Sequence, residues 1–155
     1  MGDETELIRL AREVNDSVPG KLVDKAVEAL GEAGREVGGA NVLVLGLSFR
    51  GGVKEVIKSP AVDVISLLKD VGANVFCFDP LFSRQEIEAY GVGYRDDYEG
   101  IDCVIIAADH VEFKDLDWGE IGGVMRAKVV VDSRQIVDPC YLRGLGFVCY
   151  SLGFV

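Results

Sequence analysis

Short runs of branched apolar residues recur along the chain, each stopping abruptly at polar residues: Val42–Leu45 with Leu47, Asn74–Phe78, Asp102–Ala108 and Lys128–Asp132. Runs this short, bounded by turn signals and without strict alternation, read as strands buried on both faces rather than as helices. Helical patterns lie between them. Pro60–Val71 offers Ala61, Val64, Ile65, Leu67 and Leu68 as one wide apolar face, and Ser59-Pro60 supplies an N-cap followed by a first helical proline. Arg84–Tyr90, Trp118–Met125 and a turn over 139–144 are shorter helical candidates, and Val92–Arg95 and Phe147–Ser151 are two further strands. Parallel strands need crossovers, and helices supply them, so the chain predicts an α/β fold with a doubly wound, Rossmann-like parallel sheet.

A long helical segment precedes that sheet. Over residues 5–36, Leu7, Ile8, Leu10, Ala11 and Val14, then Leu22, Val23, Ala26, Val27 and Leu30, recur at helical spacing. Pro19-Gly20 predicts a kink or break, and Gly34, Gly38 and Gly39 form a linker. The division expected is a helical segment over 1–38 and a nucleotide-binding domain over 39–155. The segment's apolar stripe needs a partner surface, either its own domain or a second copy.

Composition narrows the partners. A net charge of −10 opposes a broad nucleic-acid or anionic-membrane surface while permitting a local anion pocket. The four cysteines lack CxxC spacing, and Cys77, Cys103 and Cys149 sit in apolar runs, as buried free thiols do in a reducing compartment. One histidine gives no metal site. With no signal peptide and no membrane-length apolar run, the expectation is a soluble cytoplasmic protein.

In doubly wound sheets ligands sit beyond the carboxyl ends of the strands. The segments expected there are 48–58, 79–82, 107–113 and 132–136. The first carries three cations, Arg50, Lys54 and Lys58, in an otherwise acidic chain. Arg50 and Arg134 end two strands and could grip one anion through their planar forks, or pair with Asp79, Asp109 or Asp132 as strand-end ion pairs. Gly46-Leu47-Ser48-Phe49-Arg50-Gly51 keeps the outer glycines of the dinucleotide fingerprint but has Ser48 where the middle one belongs. Asp79 stands where that fingerprint places its ribose acid, or simply starts a turn at Pro80. His110, beside Asp109 and near Glu112, reads as a general acid/base or as a loop histidine with a satisfied hydrogen bond. No cysteine has a histidine nearby, which argues against a nucleophile. Phe113 and Trp118 suit a core, and 96–99 a solvated loop.

In order, VLVLGLSFRGGVKEVIKSPAVDVISLL, VFCFDP, DCVIIAADHVEF and VVVDSRQI resemble the C-terminal domain of the UDP-glucose/GDP-mannose dehydrogenase family, the nucleotide-sugar 6-dehydrogenases. AREVNDSVP resembles the end of that family's central helical domain, whose long helix mediates dimerisation. The resemblance implies an enzyme that oxidises the sugar C6 alcohol twice with two NAD, giving a uronic acid. NAD would be bound by a domain missing from this chain, and the thioester cysteine would lie in a central loop also outside it. The expected role is the UDP-sugar-binding portion, inactive alone, either a homodimer through its N-terminal helix or associated with the missing NAD/catalytic domain. Phe49 and Arg50 match the family's Phe-Lys pair after the first strand, Gly51 follows them, and Arg134 matches the arginine of its Asp-x-Arg motif. These four are the expected substrate-binding residues. Where many members read Asp-Asp-x-Arg-Glu-Ser-Pro, this chain has Ile57 and Lys58 in place of the arginine and glutamate, which alters the loop's electrostatics. The first helix and GGVK loop lean toward members acting on UDP-N-acetylhexosamines. Two other readings stay open: an NAD(P)- or other nucleotide-binding regulatory module using Gly46, Gly51 and Asp79, and a dimerisation module without ligand.

Overall fold

A computed structural model of the chain describes residues 18–48, 52, 54, 56 and 59–151. Six strands, β1 (Asn41–Leu45), β2 (Asn74–Phe78), β3 (Gly93–Tyr94), β4 (Cys103–Ile106), β5 (Val129–Asp132) and β6 (Val148–Ser151), form one sheet in the order β3-β2-β1-β4-β5-β6. Every pairing is parallel, with Val42 opposite both Val75 and Cys103, and Ile106 opposite Asp132. Strand order reverses between β1 and β4, so the crevice of this doubly wound sheet opens above their carboxyl ends.

The apolar runs are continuous because both faces of the central strands are covered. Val42 and Val44 of β1 face one layer and Leu43 and Leu45 the other, all four fully buried. On the first face lie α1 (Val18–Glu32) and α2 (Pro60–Asp70). On the second lie α4 (Val111–Lys114), α5 (Trp118–Val124) and α6 (Pro139–Gly144), with Phe113, Trp118 and Leu142 filling the core. The short α3 (Arg84–Glu88) follows β2 and starts with a capping box between Ser83 and Glu86. Ser59 caps α2 as expected, its Oγ accepting from Ala61 N–H.

Three sequence expectations change in detail. The stretch read as a loop around His110 contains α4, a single turn too short to show a period. The third strand shrinks to Gly93–Tyr94. Leu22, Val23, Ala26, Ala29 and Leu30 of α1 bury their stripe against the chain's own sheet, leaving Val27 partly exposed. That half of the helical segment therefore offers no continuous apolar face to a second copy. The first half, with the first helical repeat, lies outside the described residues.

Candidate functional site

Asp79 organises the carboxyl edge. It follows β2, while His110 follows β4, and both strands flank β1, so the two side chains meet over the loop that leaves β1. Asp79 Oδ2 accepts from Leu47 N–H (2.8 Å), Ser48 N–H (3.0 Å), Ser48 Oγ–H (2.9 Å) and His110 Nε2–H (2.9 Å). Its Oδ1 accepts from Leu81 N–H at 2.9 Å. The carboxylate is wholly buried. Burial alone would raise its pKa, but the bonds from Leu81, Ser48, His110 and Leu47 outweigh that and hold it below the ordinary carboxylate value.

His110 is 1% exposed, with its ring edge-on to Phe113. Its Nδ1 accepts from Gly52 N–H at 3.1 Å. An imidazole nitrogen that accepts carries no proton, so the network assigns the neutral tautomer with hydrogen on Nε2. Of its two sequence readings, the satisfied loop histidine is the one seen; Asp79, 31 residues away, is its partner. A ring this enclosed has no open nitrogen for acid/base work.

The β5 loop is built the same way. Buried Asp132 accepts from Arg134 N–H (3.0 Å) through Oδ1 and from Val137 N–H (2.9 Å) through Oδ2. Ser133 Oγ–H donates to Ile106 O at 2.6 Å, tying the loop to the end of β4. Gln135 takes a left-handed φ of 56° within this turn. Arg134 is thereby carried to the carboxyl edge, where its Nη2 lies 3.5 Å from Asp109 Oδ1 with both side chains partly exposed. This is one of the strand-end pairings the sequence allowed. A single partly exposed contact of this kind is worth about 0–1 kcal/mol, little enough for a stronger anion to displace it.

Phe49, Arg50 and Gly51, with Ile57 and Lys58, lie outside the described residues. Their neighbours are placed. Ser48 is held by Asp79, Gly52 by His110, and Ser59 Oγ–H donates to Ser48 O at 3.3 Å. Lys54, read as part of the cationic loop, turns instead to Glu86 (2.6 Å) and over the Phe82 ring (5.1 Å). That pairing lowers the Glu86 pKa, chiefly through the Lys54 hydrogen bond.

The dinucleotide reading loses its ribose acid, because Asp79, saturated and buried, cannot reach a ribose. Gly46 has φ +106°, and a Cβ there would stand 2.5 Å from Ala108 Cβ, so its missing side chain admits the β4 loop, as the tight-turn glycine of such a fingerprint does.

Other chemistry is sparse. Cys77 and Cys103 are buried with thiol pKa values pushed up by burial, and burial raises Cys149 to about 11. Among the described residues no group of three side chains could hold a metal ion, and no helix is long and apolar enough to cross a membrane. At the opposite, amino edge of the sheet, a cleft of about 230 Å³ lies around Asp102. Asp102 accepts from Asn41 N–H (2.8 Å) and pairs with Arg126 through a 2.7 Å bond from Nε. These bonds hold its pKa below the ordinary value although burial opposes them.

Sequence reasoning placed Arg134 at the carboxyl edge of the sheet but missed the Asp79–His110–Gly52 connection. The signal available was the strand order: residues ending β2 and β4 must converge over β1. Without that order, the nearest acids in sequence, Asp109 and Glu112, drew attention instead.

A parallel sheet whose strand order reverses between β1 and β4, with Arg134 carried to its carboxyl edge, defines an α/β domain of the doubly wound class. More particularly, residues 43–139 match the UDP binding domain of the UDP-glucose/GDP-mannose dehydrogenase family, and the chain belongs to that family. It is 34% identical over 151 residues to the UDP-N-acetyl-D-mannosamine dehydrogenase of Pyrococcus horikoshii, covering 95% of this chain and 33% of that protein. It is 27% identical over 157 residues to the UDP-glucose 6-dehydrogenase of Rickettsia felis, covering 97% of this chain and 34% of that one. The solved structure of the UDP-D-ManNAc dehydrogenase from Pyrococcus horikoshii superposes with a TM-score of 0.73 at 30% identity, over 94% of this chain and 33% of that one. The chain thus spans about a third of the length of the relatives it matches.

Proposed function

We propose that this chain is the nucleotide-sugar-binding portion of an NAD-dependent UDP-sugar 6-dehydrogenase. The observation that supports this reading is the Asp132-built loop that carries Arg134 to the carboxyl edge beside Asp109, within a family match to a UDP binding domain. Arg134 binds the diphosphate or ribose side of the substrate, exchanging its weak Asp109 contact for a charge-assisted bond. Phe49, Arg50 and Gly51 complete the grip from the β1 loop. Two arginines converging on one diphosphate neutralise charge that would otherwise repel the acidic surface of the chain.

NAD, the hydride acceptor for the C6 oxidation, binds a domain outside this chain, in accord with the buried and fully bonded Asp79. The thioester cysteine belongs to that same portion; Cys77 and Cys103 here are buried strand residues whose thiols burial holds protonated. Residues 1–38 are the end of the central helical domain and 39–155 the UDP-binding domain. The assembly is a cytoplasmic homodimer or a complex with the NAD/catalytic portion. UDP-N-acetylhexosamines are favoured as substrates by the GGVK loop and by the relative that acts on UDP-N-acetyl-D-mannosamine.

The test is Arg134→Ala. UDP affinity, read by calorimetry, falls by about 1.5–3 kcal/mol, the scale of a lost hydrogen bond to a charged group. Unchanged affinity removes Arg134 from the site.

A further inference from the structure

Asp109 and Arg134 stand side by side because of the register between β4 and β5. Ile106, the last residue of β4, lies opposite Asp132, the last of β5. Asp109 and Arg134 follow shortly after these two, so both overhang the carboxyl edge on neighbouring strands. Both backbones are clamped there. Ala108 is fully buried and packs at Gly46, and His110 is 1% exposed and bonded to Asp79, so Asp109 sits between two fixed neighbours. Ser133 is tied to Ile106 O, and Arg134 N–H is held by Asp132 Oδ1. Opposite charges therefore meet from anchored positions, with Arg134 Nη2 3.5 Å from Asp109 Oδ1. We propose that Asp109 is an affinity-setting residue of the nucleotide site: a built-in anion that occupies Arg134 before the ligand arrives and opposes the ligand's phosphates once they bind. The proposal rests on the UDP-binding reading of Arg134 given above.

Arg134 does not depend on Asp109 for its place, since the Asp132 turn already carries it to the edge. The contact between them is partly exposed on both sides and weak enough to be exchanged. Exchange has an asymmetric result. Arg134 has the longer and more pliable side chain and swings to a phosphate, whereas the short Asp109 side chain stays near its backbone anchor. A phosphate drawn to Arg134 then lies near a carboxylate of like charge. The lost ion pair and the new repulsion both act against an anionic ligand, and neither acts on an uncharged one. β4 also borders the crevice where the strand order reverses, so Asp109 stands at the edge where ligands of such sheets lie.

Two substitutions separate charge from shape. Asp109→Asn keeps the shape of the side chain and removes its charge, while Asp109→Glu keeps the charge on a longer arm. The experiment is calorimetric titration of the 155-residue chain and both variants with UDP, inorganic pyrophosphate and uridine. Asp109→Asn binds UDP and pyrophosphate about two- to fivefold tighter at low salt, equivalent to about 0.4–1 kcal/mol. The gain shrinks as salt approaches about 1 M, where the Debye length is about 3 Å. Uridine, which carries no phosphate, shows no difference between the proteins. Asp109→Glu stays within about twofold of the wild type for every ligand.

Equal or weaker UDP binding by Asp109→Asn overturns the proposal, the weaker case making Asp109 a support for Arg134 and not its competitor. So does a gain that extends to uridine, survives at high salt or appears equally in Asp109→Glu. Tighter pyrophosphate binding by Asp109→Asn, with UDP silent in every protein, upholds the competition and overturns the uridine-nucleotide reading. Silence of both anions in every protein overturns the two together, because no anion then reaches Arg134.

Discussion

Gly46 shows how one residue joins two loops. Its φ of +106° and the 2.5 Å separation between a built Cβ and Ala108 Cβ mean that the loops after β1 and β4 touch at this glycine. Gly46→Ala should destabilise the fold by about 2–4 kcal/mol, combining left-handed strain with overpacking against backbone. Urea unfolding of the variant measures this, and a loss under 1 kcal/mol, roughly the scale of a neutral surface change, would mean that the loops part easily. The position of Arg134 was legible in the sequence because a basic residue two places after a buried strand emerges at the carboxyl edge. The partner of His110 was not legible, since Asp79 lies 31 residues earlier and only the sheet brings them together.

At the scale of elements, the carboxyl-edge loops are organised by buried carboxylates. Asp79 fixes the β1 loop and Asp132 the β5 loop; at the amino edge Asp102 joins β1 to Arg126. Asp79 and Asp102 both have folded pKa values depressed below their ordinary ones. Their stabilisation is therefore complete above the unfolded value of about 3.9 and is lost as pH falls through the lower folded values. The urea midpoint should be flat from neutral pH down to roughly 5 and drop steeply below about 4. Asp79→Asn, which keeps one acceptor where five donors converge, should be less stable at neutral pH and show a shallower acid limb. An unchanged acid limb would place the linkage elsewhere. The strands themselves were legible because burial on both faces writes them as unbroken apolar runs. Helix α4 was not, because its four residues cannot display a helical period.

For the whole molecule, the sheet order and the buried α1 stripe describe a unit with its own two-layered core. The alternation of strands and helices predicted this architecture, since parallel strands leave few ways to connect. What the sequence could not supply was how the cations pair: Lys54 is drawn to Glu86 and Phe82, whereas Arg134 makes a weak, partly exposed contact with Asp109. The central claim, a uridine-nucleotide site on this chain, is tested most directly by calorimetric titration with UDP, UDP-N-acetylglucosamine, GDP and NAD at low salt. The account predicts saturable binding of the two uridine nucleotides, with GDP and NAD silent. Preferential binding of NAD would contradict it.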